Sequence, residues 1–162
     1  MAAGRARLGA GDVACWVLKA ASDPPELRGA PAGRAVRLSR CVHPTYRLDL
    51  LAPGQPVLLW RSGPAAGVRA VGEVLAGAVD GAVQVLLRPL REPVPRAELL
   101  GDARFRGAEV VRVPVGANPS YLRADELAAV LERLAPGEAP GGPGPEGPGR
   151  ALSGRRESNP RS

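Results

Sequence analysis

Histidine, cysteine and lysine are almost missing from this chain, and each shortage removes a class of chemistry. His43 is the only histidine, Lys19 the only lysine, and Cys15 and Cys41 the only cysteines. Two cysteines make no disulfide framework, and without a CxxC pair or a second histidine no standard zinc site can be assembled. His43 stands directly before Pro44 with no acid close by in sequence, so it reads as a loop residue before it reads as a general base. Cys41 and His43 share one face of an extended strand but diverge, which makes a Cys/His hydrolase the weakest reading. No Walker A, Rossmann or G-x-S-x-G motif occurs. No apolar run reaches the roughly 18 residues of a membrane span, and the basic N-terminus lacks the apolar core of a signal peptide. These absences predict a soluble cytoplasmic protein that is not an enzyme, with no catalytic residues, no metal and no cofactor.

Aromatic residues are also scarce, at 3% of the chain. Trp16, Tyr46, Trp60, Phe105 and Tyr121 are the whole set, and core packing is the first reading for each. If Trp16, Tyr46 and Trp60 converged, they would form a slot for a nucleobase, and stacking on an aromatic face contributes ~1–3 kcal/mol per base.

What the chain has in quantity is arginine, alanine, glycine and proline. The net charge is +6, carried almost entirely by arginine. It permits a nucleic-acid or phosphate partner without establishing one. No block of five basic residues forms a dedicated electrostatic arm. Several acids sit at element ends (Asp49, Asp80, Glu92, Glu98) and read as surface carboxylates. Glu73 lies inside an apolar run, where Arg69 or Arg88 is the expected partner.

Composition divides the chain of 162 residues in three. Residues 1–11 are small, basic and glycine-punctuated and read as a flexible arm. Residues 135–162 combine proline, glycine and charge without apolar periodicity, a composition that cannot offset ordering entropy, and read as disordered. Residues 12–134 form the folded domain.

Within it, DVACWVLK at 12–19 is apolar on both faces and reads as a central strand. Residues 34–42 alternate weakly, as in a half-exposed strand. A short amphipathic helix is expected over 45–51, stopped by Ala52-Pro53-Gly54. The stretch Pro56 to Val74 reads as a hairpin: a buried strand ending in Trp60, a break at Arg61-Ser62-Gly63-Pro64, and an alternating run Val68, Ala70, Gly72, Val74. Further strands are expected at 82–87 and 108–113, a helical turn from Arg96, a loop over 114–121, and a closing helix over 122–134. In that helix Leu127, Val130, Leu131 and Leu134 share one face, and Glu126 is assigned to solvent. The sum is an α+β domain with a compact, curved or barrel-like sheet of five or six strands.

Four words in this order carry a resemblance: WVLKA at 16–20, RCVHPTYRLDLL at 40–51, PGQPVLLWRSGPAAGVRAVGEV at 53–74 and VVRVPVGANPSYLRADELAAVL at 110–131. Together they resemble the EVE domain family, a branch of the PUA-like superfamily related to YTH domains. The resemblance covers 12–134. It implies a PUA-like pseudobarrel, a curved mixed sheet with short helices over its openings, and a concave pocket that reads a modified base in DNA or RNA without catalysis. It also implies restriction or RNA-modification proteins as partners. Carried over position by position, it implies a ligand pocket lined by Trp16 and Leu18, by Arg40, Cys41 and Val42, by Ser62 and Gly63, and by Asn118. Many relatives place an aromatic near the Arg40 position. The arginine found here can stack as a planar group or contact phosphate. Arg47, Arg61, Arg69 and Arg123 are the candidates for backbone phosphates, with solvated surface charge as the alternative for each. Leu18, Cys41 and Val42 suit a methyl group, whose burial contributes about 0.8 kcal/mol. The alternative is a protein–protein or assembly module that keeps the fold around a degenerate base pocket.

Overall fold

The computed structural model describes residues 7–115 and 117–140. Six strands form one mixed sheet: β1 (Cys15–Ala20), β2 (Val36–Cys41), β3 (Pro56–Arg61), β4 (Gly67–Val79), β5 (Ala82–Pro95) and β6 (Ser120–Leu122). Their order is β2-β5-β4-β3-β1-β6. Only β1 and β3 run parallel; the other neighbours are antiparallel. Three short helices, α1 (Arg96–Leu100), α2 (Glu109–Arg112) and α3 (Ala124–Leu131), complete the α+β architecture. The sheet is open, with β2 and β6 as its edges.

Strand β1 is buried along its whole length, as its two-sided apolar sequence requires. Alternation sends Cys15 and Val17 into one core with Leu58, Trp60, Phe105, Leu122 and Val130. It sends Trp16, Leu18 and Ala20 into a second core with Leu38, Val42, Val57, Leu59 and Tyr121. The two cores lie on opposite faces of the sheet.

The hairpin forms, with one change. Trp60 pairs with Val68 and Leu59 with Ala70, so Arg69 is the extra residue of a β-bulge. A bulge reverses side-chain parity. Val68 therefore enters the first core while Ala70 and Val74 enter the second, and the expected alternating face is split. The bulge also turns Arg69 toward Asp23, 2.9 Å away, rather than toward Glu73. Gly72 is required by close approach: a Cβ there would collide with the Leu86 carbonyl oxygen. Strand β5 runs on to Pro95 rather than ending near 87, and its register against β4 jumps between Val94 and Pro89.

Three other expectations are corrected. Residues 109–112 are the helix α2, not a strand, since the Arg112 and Val113 amides donate to the Ala108 and Glu109 carbonyls. The edge of β1 is already taken by β6, so β-branched local preference has no ladder to join and tertiary context decides. The segment over 45–51 is a 3₁₀ turn, Tyr46–Leu50, capped by Thr45. In α3, Glu126 is buried and accepts from the Arg123 amide at 2.8 Å, while Leu131 is exposed.

The ends of the described chain are tied to the domain. Leu8, within the expected arm, packs against the second core, and its amide donates to the Tyr46 hydroxyl at 2.7 Å. Beyond α3, the Glu138 carboxylate accepts from the Arg91 amide at 2.9 Å, inside the stretch expected to be disordered. The rest of that stretch, and the first six residues of the arm, lie outside the described residues.

Candidate nucleic-acid interface

The parallel pair β1 and β3 ends at Ala20 and Arg61, and two of the implied pocket residues, Ser62 and Asn118, bond near that end. Asn118 sits there because its side chain extends the β1 ladder. Its Oδ1 accepts from the Lys19 amide at 3.1 Å, and its Nδ2 donates to the Lys19 carbonyl at 3.4 Å. Its own carbonyl accepts from the His43 amide at 2.7 Å. The Ser62 amide donates to the Ala20 carbonyl at 2.9 Å. Leu18 and Val42 pack in the same core as Ala20. Ser62 and Asn118 thus bond to the end of β1, whereas Leu18 and Val42 lie in the second core, on the face opposite Trp60.

Ser62 and Gly63 line a cavity of about 200 Å³ with Trp60, Ala66, Arg96, Val110 and Pro114. Clefts for drug-sized ligands run to ~300–1,000 Å³, so this space suits a single planar ring. Trp60 is a core residue whose ring stacks on Phe105, with centroids 6.1 Å apart and planes 17° from parallel. Gly63 adopts φ +95, which lets the chain turn tightly at the cavity mouth.

Leu18, Val42 and Asn118 do not line this cavity, and the other implied residues stand apart from it as well. Trp16 is fully buried, and its indole Nε1 donates to Gln55 Oε1 at 2.8 Å. It presents no ring face to solvent, which is the packing role. Arg40 and Cys41 lie on edge strand β2, with Cys41 exposed. Arg69 is held by Asp23. Arg61 is half-buried at the end of β3. Among the described residues no group of three or more His, Cys, Asp and Glu side chains comes together as a metal site, and no helix is long and apolar enough to cross a membrane.

A second, larger cavity of about 630 Å³ opens beside β6. Arg47 and Arg123 line it, joined by Arg7, Arg112, Tyr46, Tyr121, Asp12 and Glu109. Its floor is an ion pair. Arg47 Nη1 and Nη2 donate to Glu109 Oε1 and Oε2 at 2.7 and 2.6 Å. Arg47 also donates to the Pro119 carbonyl at 3.0 Å, and the Ser120 hydroxyl donates to Glu109 at 2.7 Å. Burial works to raise the Glu109 pKa, but the hydrogen bonds from Arg47 and Ser120 outweigh it and hold the carboxyl below its ordinary value. The Arg47 guanidinium is pushed up, chiefly by its hydrogen bond to Glu109.

Lys19 completes this centre, and sequence reasoning passed over it. Its ammonium donates to the Val113 carbonyl at 2.7 Å. Burial lowers its pKa, with Arg47 adding to that effect and Glu109 opposing it. A signal was available: the only lysine of the chain stands inside an otherwise apolar strand. Glu109 carried no such signal, because the segment around it reads locally as a strand.

Comparison with solved structures places this architecture. A hypothetical protein from Leishmania major superposes with a TM-score of 0.58 at 16% identity, over 77% of this chain and 96% of that one. Rpa0253 from Rhodopseudomonas palustris gives 0.55 at 16% identity, over 74% and 92%. The chain shares its fold with these proteins. Human THYN1, solved in complex with DNA containing 5-methylcytosine, gives 0.48 at 13% identity, over 75% and 99%; a score at that level carries no conclusion about this chain. No family model matches this chain, and no curated protein sequence matches it.

Proposed function

We propose that this protein is a non-catalytic nucleic-acid-binding module that takes a modified, methylated base into the cavity at the break after β3. The observation that supports it is the lining of that cavity: Trp60, Ser62 and Gly63, with Val110 and Pro114. A base out of its stack needs apolar walls and edge contacts. Trp60, Val110 and Pro114 are the walls, and Ser62 and Gly63 offer the donors and acceptors. Arg96 at the same cavity and the arginines beside β6 supply positive charge for the backbone. The EVE-like motif order supports the same reading. Trp16 has no part in this version of the site.

The test is titration of short DNA and RNA strands, with and without methylated bases, at two salt concentrations. The reading expects tighter binding to one modified strand at both salts. Equal affinity for modified and plain strands sinks it, even where binding falls with salt.

One observation favours the alternative, a protein-binding module around a degenerate pocket. Trp16, the ring that the resemblance assigns to stacking, is wholly enclosed. The same titration decides, since a degenerate pocket shows no preference for any modified base.

A further inference from the structure

The two cavities share a wall. Val113 lines the cationic cavity and the next residue, Pro114, lines the base-sized one. Between them stands an exposed ridge, with Val113 38% and Val115 84% exposed. The ridge is anchored from below, because the nearly buried Lys19 ammonium holds the Val113 carbonyl at 2.7 Å. On the far side of the ridge, four arginines face two carboxylates. Two of the four are committed: Arg47 to Glu109, and Arg7 to the Tyr46 ring, its guanidinium carbon 4.0 Å from the centroid. Arg112, whose Nε donates to the Gly107 carbonyl at 2.8 Å, and Arg123, hydrogen-bonded to Tyr121, are exposed at the rim and pair with no carboxylate of the cavity.

We infer that the cationic cavity holds the phosphate of the nucleotide whose base occupies the smaller cavity, so that the ridge stands between a base and its own phosphate. This rests on the proposed base site and adds a partner class to it. A nucleotide inside a stacked duplex has no room for an apolar ridge at its side. A nucleotide in a single strand, or one swung out of the stack, can straddle it. The ligand is therefore an unstacked nucleotide with its 5′-phosphate, and a closed duplex is disfavoured. The charge excess beyond the ridge is what a phosphate requires, and the anchored ridge keeps the two halves of the site at a constant separation.

The test uses the full chain and four probes: N6-methyladenosine and 5-methylcytidine, each as the nucleoside and as the 5′-monophosphate, followed by amide chemical shifts. The inference expects a monophosphate to bind at least tenfold more tightly than its nucleoside, with shifts on both sides of the ridge. The double variant Arg112→Ala/Arg123→Ala should erase that advantage and leave nucleoside binding within twofold. Equal binding of nucleoside and monophosphate overturns the phosphate site while the base site survives. Binding of monophosphates alone, with shifts confined to the β6 side, keeps the phosphate site and removes the base site. No binding by any probe overturns both. An advantage that persists in the double variant overturns the assignment to these arginines.

Discussion

Arg47 and Glu109, 62 positions apart in sequence, meet through two parallel hydrogen bonds of 2.7 and 2.6 Å. The pair fastens the 3₁₀ turn at Tyr46–Leu50 to the first turn of α2, across the end of β6. Both side chains are mostly enclosed, 17% and 11% exposed, so removing one leaves the other charge poorly solvated. Arg47→Ala should cost about 3 kcal/mol, the lower end of what breaking a buried pair costs. Urea unfolding measures it, and Arg47→Met/Glu109→Leu should recover part of the loss. The pH dependence follows from Glu109, held below its ordinary value of 4.5. As pH falls the unfolded chain takes up this proton first, so the pair's contribution is complete above the unfolded value and disappears as pH falls through the folded one. Glu109→Gln should unfold with a shallower loss of stability below that pH than the native chain.

Trp16 and Gln55 predict a split between two substitutions. Gln55 Oε1 accepts from the indole and from the Ala52 amide, and its Nε2 donates to the Leu50 carbonyl. Gln55→Ala strands a buried indole N–H and should cost about 1–3 kcal/mol. Trp16→Ala empties a fully buried site and should cost about 3–5 kcal/mol. Thermal melts check both. If Trp16→Ala left the melting temperature unchanged, the packing role would be wrong.

Gly72→Ala should be among the worst small substitutions in the chain. The added Cβ would meet the backbone of Leu86, and a paired strand cannot step aside as a side chain can. The loss should reach ~3 kcal/mol. Gly107→Ala, with nothing within 4 Å of the new carbon, is the matched control and should stay within about 0.5 kcal/mol.

The two cysteines should separate cleanly. Cys15 is enclosed and its thiol is pushed far up by burial, while Cys41 is exposed. Thiolate availability governs reactivity. A thiol reagent should label one site per native chain, at Cys41, and both after unfolding. Native labelling that persists in Cys41→Ser would contradict this.

Ser62→Leu should fill part of the cavity beside Trp60 without touching the arginines near β6. Discrimination between methylated and plain strands should fall toward unity, while the slope of affinity against salt stays unchanged. A changed salt slope with discrimination intact would place the base elsewhere.

Much of this was legible in residues alone, and the reason is burial on both faces. A strand enclosed on both sides must be continuously apolar, so 15–20 and 56–61 announce themselves, as does the break at Ser62-Gly63 between β3 and β4. Tertiary structure decided the rest. A single extra residue at Arg69 reversed the parity of β4, and local alternation cannot reveal a bulge. Residues 109–112 became helix because β6 had claimed the edge of β1. Trp16 became core because Gln55, 39 positions away, satisfies its indole. Lys19 and Asn118 meet across 99 positions. Such pairings leave no periodic trace along the chain, because their energy appears only when the folded backbone brings the partners together.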